Sequence, residues 1–230
     1  MNIRAVVFDI GQTLTYYPIP LNWSALYRPA FGHVAEVLGL ALSDGEYEHL
    51  GKVLAKYNTR INPRETEVSS GVIFREMIAG TSLPPERTED IKREFYSFFR
   101  ADAHVYPEAE QVLAALKSRG IPTATLSDVA YGMDNVYALD DIRPLLRYID
   151  LPWTSNDTGF RKPSGKGLLK IAAEWRLPVS DVAFVGDERK DMDCARNAGA
   201  AGILVNRTGE AKEYGQALEI KDLSGILNLL

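Results

Sequence analysis

Short apolar runs recur along the chain and predict buried β-strands. Four of them cover residues 3–8, 123–126, 182–185 and 203–205. The run over residues 3–8 suits a strand covered on both faces, as in a parallel sheet, and the other three are similar short runs. The chain therefore has the strand pattern of a buried parallel sheet.

Helical patterns separate these strands. Apolar side chains recur every three or four residues over 109–116, before Gly120, and over 168–175, before Pro178. Strands that alternate with helices are typical of open parallel sheets. The predicted fold class is α/β, with a Rossmann-like parallel sheet as its core.

The long stretch between the first two strands has only helical signatures. Ser43 and Glu46 have the spacing of a capping box, and Pro84 stands at the start of another helix. Apolar stripes over Tyr27–Leu38 and Val72–Met77 predict two more helices. These features predict a helical bundle inserted after the first strand.

The predicted domain division follows from this insertion. Residues 1–15 and 102–230 are expected to form the α/β core, and residues 16–101, here called the helical insert, a second domain. We expect the insert to move separately, hinged near Tyr16 and Ala101. Tyr16, Tyr17 and Trp23 either close over a bound substrate or pack at the hinge.

Composition and charge exclude several classes of partner. The 230 residues carry a formal net charge of -5, so no basic field attracts nucleic acid or an anionic membrane. No apolar run approaches membrane-spanning length, and the N-terminus lacks a secretory signal pattern. Cys194 is the single cysteine and is interpreted as a small buried apolar side chain. We expect a cytoplasmic monomer or homodimer without nucleic-acid or membrane partners.

Polar side chains suited to catalysis follow the predicted strands. Asp9 ends the first run, Ser127 ends the second, Asp187 and Asp191 follow the third, and Lys162 lies in a loop. The carboxyl ends of parallel strands meet at one edge of a sheet, where ligands bind. The sequence therefore predicts a functional site at that edge.

Four segments resemble the ordered motifs of the haloacid dehalogenase superfamily of hydrolases. They read FDIGQTLT, TLSD, FRKPS and VGDERKDMDCARNAG, and the likeness covers residues 1–15 and about 104–209. The helical insert stands where members with a helical, C1-type cap carry it. Four motifs in order are a specific signal. The resemblance implies a magnesium-dependent phosphatase acting on a small phosphorylated metabolite.

The same resemblance implies roles for the polar residues. Asp9 is the expected nucleophile, which takes the phosphoryl group as an aspartyl phosphate, while Ser127 and Lys162 bind phosphoryl oxygens. Taken alone, Asp9 could cap a turn and Ser127 a helix. Arg161 and Lys166, beside the predicted lysine, are expected to be exposed to solvent.

A magnesium site is implied by the same motifs. Asp9 and Asp187 are expected to bind the ion directly, together with the backbone carbonyl of Gly11, and Asp191 directly or through water. A crowd of carboxylates repels itself unless a hard cation intervenes. Asp191 is also suited to the first turn of a helix, a role compatible with metal binding.

Gly11 departs from the phosphatase pattern. The family's phosphatases usually carry there a second Asp that protonates the leaving alcohol and activates water, and glycine has no side chain for this task. The family's typical lysine motif also continues differently, since Ser164 and Gly165 follow Pro163 here.

Three readings of the missing acid remain open. The first is a phosphohydrolase that uses a substitute acid or a substrate with a good leaving group. The second is hydrolysis of a carbon–halogen or carbon–phosphorus bond, although members with those activities typically have Tyr or Ala at the position of Gly11. The third is a non-catalytic protein that binds metal or phosphate. We rank these interpretations in that order, and retention of the other polar residues argues against the third.

Overall fold

The fold is built on one parallel sheet. The computed structural model describes residues 2–18, 22–100 and 103–229. The strands other than β2 and β3 form a six-stranded sheet in the order β5-β4-β1-β6-β7-β8, with every pair parallel. The strand bounds are β1 (Ala5–Phe8), β2 (Thr15–Tyr16), β3 (His104–Val105), β4 (Thr123–Ser127), β5 (Leu151–Thr154), β6 (Val182–Gly186), β7 (Ala201–Val205) and β8 (Leu218–Ile220).

Helices cover the sheet on both faces and also form the insert. Within the described residues, α1 to α4 belong to the helical insert and α5 to α9 to the α/β part. The helix bounds are α1 (Trp23–Leu38), α2 (Asp44–Tyr57), α3 (Ser70–Ile78), α4 (Thr88–Arg100), α5 (Ala109–Ser118), α6 (Asn135–Ala138), α7 (Ser155–Thr158), α8 (Lys166–Glu174) and α9 (Arg189–Ala198).

Strand β1 shows why its sequence is continuously apolar. Val6 and Phe8 pack into an apolar cluster with α5, whereas Ala5 and Val7 pack into a second cluster with α8 and α9. Successive side chains of a strand point to opposite faces, so both sets are buried. The predicted α/β class with a parallel core is confirmed.

The helical insert has a third apolar cluster, which it shares with the α/β part. Its helices pack with Val129, Tyr131 and Met133 from the segment that follows β4. The predicted capping box at Ser43 is present at the start of α2. In α3, Phe74 is buried and Val72 is exposed, so the buried face is rotated slightly from the predicted stripe.

A short antiparallel ribbon stands beside the insert. Strands β2 and β3 pair with each other, and the ring of Tyr16 stacks on His104 at a centroid distance of 5.5 Å. Tyr16 therefore packs within this ribbon. The predicted junction at residues 101 and 102, including the hinge at Ala101, lies outside the described residues.

The insert is docked against the loop that precedes α8. Residues 65–67 run beside residues 159–161: the Glu67 amide donates to the Gly159 carbonyl at 3.0 Å, and the Arg161 amide to the Glu65 carbonyl at 2.8 Å. A Cβ on Gly132 would lie 2.3 Å from the Val68 carbonyl oxygen, so the two backbones approach closely there.

Candidate active site

The predicted polar residues converge at the carboxyl edge of the central strands. Strand β1 pairs with β4 on one side and β6 on the other, so the segments that follow these strands are neighbours. Asp9 follows β1, Ser127 ends β4, and Asp187 follows β6. The Asp9 amide donates to the Val185 carbonyl at 2.9 Å, which fixes the start of the first loop against β6.

Lys162 is buried between two of the carboxylates. Its Nζ lies 2.8 Å from Asp9 Oδ1 and 2.7 Å from Asp191 Oδ1. Burial alone would lower the pKa of Lys162, but the charges of Asp191 and Asp9 raise that pKa well above its usual value. Lys162 is therefore a fixed cation beside Asp9.

Asp9 is held ionised in a buried position. Burial opposes the charge of its carboxylate, yet the charges of Lys162 and Lys190 keep the pKa of Asp9 below its usual value, with help from the Ser127 hydroxyl. A deprotonated carboxylate has free electron pairs for attack on an electrophile. The site thus keeps Asp9 in the protonation state of a nucleophile.

Three carboxylates form a cluster suited to a cation. Oxygen atoms of Asp9, Asp187 and Asp191 all lie within 4.8 Å of one another. Burial and the negative charges of Asp9 and Asp191 raise the pKa of Asp187 to about 7. A divalent cation would offset this repulsion, and carboxylate oxygens are the ligands of hard cations. The cluster could therefore hold a metal ion.

Asp191 is bound more completely than the other two carboxylates. Its Oδ1 accepts from Lys162, and its Oδ2 accepts from the amides of Asp187 and Glu188 at 3.1 and 2.9 Å. Asp191 thereby caps the first turn of α9, the structural role expected as compatible with metal binding. A Cβ on Gly186 would lie 2.5 Å from this carboxylate, so glycine is needed there.

Three residues that were not predicted from the sequence, Thr13, Arg207 and Asp128, contact the site or support it. Thr13 Oγ1 donates to Asp187 Oδ1 at 3.2 Å, and Arg207 Nη2 donates to the Thr13 carbonyl at 3.4 Å. Asp128, next to Ser127, accepts from the Lys162 amide at 3.0 Å. Thr13 and Asp128 lie within the motif segments FDIGQTLT and TLSD, so the motifs could have pointed to them. Arg207 lies outside the motif segments, and nothing in the sequence pointed to it.

Arg161 is buried, contrary to the expectation that it is exposed. It forms an ion pair with Glu67, donates to the Val129 carbonyl at 2.8 Å, and lies 3.8 Å from Asp128. Its partner Glu67 belongs to the helical insert, so the pair could not be predicted from neighbouring residues. Lys166 is exposed, as predicted.

Ser164 and Gly165 follow Pro163 and differ from the family's motif, and packing explains the glycine. A Cβ on Gly165 would lie 2.5 Å from the Ala198 amide nitrogen, so the start of α8 packs directly against the end of α9. The thiol of Cys194, buried as predicted, donates to the Ser164 carbonyl at 3.2 Å. Gly165 therefore has a packing reason to differ from the family's motif, and Lys162 still lies beside Asp9 and Asp191.

Gly11 has no comparable steric reason. A Cβ built at this position meets no atom within 4 Å, and its backbone is outside the left-handed region. The left-handed residue of this loop is Gln12, with φ 56°. A side chain would fit at residue 11, so the glycine leaves a space beside Asp9 that another residue could fill.

The site opens into a cavity that reaches the insert. Asp9, Gly11, Ser127 and Lys162 line a space of about 580 Å³, and Trp23 lines it from the side of the insert. A volume of this size suits a small metabolite.

Two aromatic side chains of the insert border this space. Tyr17 lines the cavity and donates to Asp141 Oδ2 at 2.7 Å. Trp23 stacks on Phe99 at 3.8 Å between ring centroids. Trp23 also contacts Tyr131 of the α/β part, at 5.6 Å between ring centroids, so both aromatic residues contact the α/β part while lining the cavity.

Comparisons with known proteins agree with this arrangement. A phosphoserine phosphatase of Thermus thermophilus is 27% identical over 234 residues, covering 96% of this chain and 89% of that protein. Other matching curated relatives are also named phosphatases.

Solved structures show the same fold. A 2-haloacid dehalogenase of Pseudomonas syringae pv. Tomato matches with a TM-score of 0.68, at 18% identity, over 99% of this chain and 97% of that one. A HAD phosphatase of Thermococcus onnurineus matches with a TM-score of 0.65, at 20% identity, over the same shares. The fold alone does not separate the two chemistries.

None of the helices in the described ranges has the length and apolar character needed to cross a bilayer.

The family model completes the assignment. The model of the haloacid dehalogenase-like hydrolases matches residues 3–199, which is most of the chain and includes every predicted site residue. The chain therefore belongs to the haloacid dehalogenase-like hydrolases.

Proposed function

We propose that the protein is a magnesium-dependent phosphohydrolase that acts on a small phosphorylated metabolite. The observation that carries this proposal is the buried contact of Lys162 with both Asp9 and Asp191 beside a third carboxylate. The cationic group and the nucleophile are thereby held together where a phosphoryl group can enter. Relatives named phosphatases support the choice of substrate class.

Asp9 is the proposed nucleophile. A carboxylate oxygen attacks phosphorus, the bond to the leaving oxygen breaks, and the phosphoryl group becomes attached to Asp9. Water then attacks phosphorus, which releases phosphate and regenerates the carboxylate. The Lys162 ammonium and the Ser127 hydroxyl bind the phosphoryl oxygens, whose negative charge would otherwise repel Asp9.

The proposed magnesium ligands are Asp9, Asp187 and the Gly11 carbonyl. A bound ion would neutralise charge on the phosphoryl oxygens and on the carboxylates. Both oxygens of Asp191 already accept hydrogen bonds from the protein. This arrangement supports an Asp191 that orients Lys162 and the loop amides and reaches the ion through water.

The substrate is expected to have a good leaving group or to supply the proton itself. Gly11 offers no side chain for acid–base catalysis, which is worth about 10² to 10⁴ in rate. The space at Gly11 is open, so the missing carboxylate is a chemical gap rather than a steric requirement. Acyl or aryl phosphates should therefore react faster than alkyl phosphates.

The test is phosphate release from sugar phosphates, nucleotides, acyl phosphates and phosphonates, with magnesium and with chelator. At least one phosphate ester or acyl phosphate should be hydrolysed only with magnesium. Asp9→Asn should abolish turnover while the protein stays folded by circular dichroism. Full activity in Asp9→Asn, or hydrolysis restricted to phosphonates, would contradict the proposal.

A further inference from the structure

A second cavity adjoins the catalytic one and is predominantly cationic. This space of about 500 Å³ is lined by four cationic side chains and one carboxylate, that of Asp128. The protein as a whole is acidic, with a formal charge of -5, so this concentration of positive charge is local. The four cationic residues are Arg60, Arg64, Arg161 and Lys190.

Three of these four cations already have acidic partners. Arg161 pairs with Glu67, which also lies 3.4 Å from Arg64, while Lys190 pairs with Glu188 at 2.9 Å. In the described part of the chain, the Arg60 side chain has neither an ion pair nor a hydrogen bond. Its charge therefore remains available to a ligand.

Arg60 stands between the two cavities. It lines the space that contains Asp9 and Lys162, and also the adjoining cationic space. The turn that carries it is fixed, because the Arg60 amide donates to Asn58 Oδ1 at 2.9 Å and Asn58 Nδ2 donates to Tyr27 Oη at 3.2 Å. A phosphoryl group at Asp9 would leave the rest of its molecule near this arginine.

We infer that Arg60 binds a second anionic group of the substrate, a carboxylate or a second phosphate. The inference rests on the proposed function, and it narrows the substrate class to phosphorylated compounds with an anion at the far end. The guanidinium can donate two parallel hydrogen bonds to a planar carboxylate or to phosphate oxygens. Trp23, which lines both spaces, borders the path between the two anions.

Matched pairs of non-hydrolysable phosphonates test this inference by calorimetry in the presence of magnesium. The pairs are 3-phosphonopropanoate with propylphosphonate and 4-phosphonobutanoate with butylphosphonate, and propane-1,3-bisphosphonate serves as the second-phosphate arm. In the wild-type protein the member with a second anionic group should bind about tenfold more tightly, as expected for one charge-assisted interaction. Whichever second group, carboxylate or phosphonate, gives the larger gain in affinity is the anion that Arg60 prefers.

Variants assign the effect to Arg60. Arg60→Gln should remove the preference and leave binding of propylphosphonate and butylphosphonate unchanged, whereas Arg60→Lys should keep part of the preference. Arg75→Gln is the matched control, because Arg75 is exposed on α3 and lines neither cavity. Circular dichroism checks that each variant is folded.

The outcomes separate this inference from the proposed function. Equal affinities within the wild-type pairs, an unchanged preference in Arg60→Gln, or no phosphonate binding would overturn the Arg60 site. If phosphate esters are turned over in spite of any of these results, the proposed phosphohydrolase function is still supported. An Arg60-dependent preference without turnover of any phosphate would support the anion site and contradict the hydrolase.

Discussion

Glu67 and Arg161 form a buried ion pair that joins the helical insert to the loop carrying Lys162. The side chains of the pair are 3% and 6% exposed, so neither charge is balanced by solvent. Glu67 also accepts from Ser155 Oγ at 2.6 Å. The pair therefore ties the insert to the residue directly before the proposed catalytic lysine.

Removing one member of this pair should be costly. Glu67→Ala leaves the Arg161 charge buried, with Asp128 at 3.8 Å as its one remaining acidic partner among the described residues. Breaking a buried pair in this way costs about 3–5 kcal/mol. Urea denaturation should show a loss of this size, and hydrogen exchange should show faster exchange at the Glu67 and Arg161 amides.

The matched control for this pair is Glu86→Ala. Glu86 is exposed on the same insert and has no ion pair within the described ranges. The control should change the free energy of unfolding by less than about 0.5 kcal/mol. Equal stabilities of the two variants would show that the buried pair does not hold the insert in place.

The carboxylate cluster predicts a stability that depends on pH when metal is absent. The pKa of Asp187 is raised to about 7, so the folded state favours its protonated form. The stability from this group is fully present below the unfolded pKa and is lost as pH rises through about 7. The largest loss is about 4 kcal/mol.

Asp187→Asn isolates this effect. The variant keeps an oxygen that can accept from Thr13 but cannot ionise. The free energy of unfolding is measured by denaturation with chelator at about pH 5 and pH 8. Relative to the wild type, the variant should be more stable at about pH 8 than at about pH 5. Magnesium should stabilise the wild type more at about pH 8, because protons compete for its ligands. An identical stability difference at both values would contradict the account.

Gly11→Asp should change how turnover depends on the leaving group. In the wild type, nitrophenyl and acyl phosphates should react far faster than alkyl phosphates of similar size. The new carboxylate can protonate the leaving oxygen, so the dependence should flatten, with gains for alkyl phosphates of up to about 10² to 10⁴.

Gly11→Asn is the control for size, since its side chain cannot supply the proton. Its leaving-group dependence should stay as steep as in the wild type. Metal affinity and melting temperature are measured in both variants. Fast turnover of alkyl phosphates by the wild type would indicate that another residue already supplies the acid.

Gly186→Ala should weaken metal binding through Asp191. The added methyl group would stand 2.5 Å from the Asp191 carboxylate and force it away from Lys162 and the loop amides. We expect lower magnesium affinity by calorimetry and a loss of about 1–3 kcal/mol in stability. Gly45→Ala, in open space within α2, should leave magnesium affinity unchanged.

The sequence predicted the central strands but not the edges of the sheet. Strand β1 is apolar on both faces, and such runs stand out. Strand β5 includes Pro152 and β8 has only three residues, so neither gives a distinct pattern. Proline is tolerated at an edge because one side of that strand needs no ladder hydrogen bonds.

The sequence also predicted that Asp9, Ser127, Asp187 and Asp191 would meet, because they end or follow strands of one parallel sheet. Lys162 lies in a loop, and its motif pointed to it. The sequence could not predict what pairs with these residues across the chain. Arg161 was expected in solvent because its partner Glu67 stands 94 positions away, and no local pattern links the two. The free charge of Arg60 likewise becomes apparent only when its neighbours are known.

The proposed aspartyl-phosphate mechanism is tested most directly by following the phosphoryl group and the attacking water in one turnover. The protein is mixed with 4-nitrophenyl phosphate and magnesium in water labelled with heavy oxygen, quenched at successive times and analysed by mass spectrometry. Attack by Asp9 and then by water predicts a transient phosphoryl group on Asp9, heavy oxygen in the released phosphate, and none in the Asp9 carboxylate after turnover. Heavy oxygen in Asp9, or labelled phosphate without any phosphorylated Asp9, would contradict this mechanism.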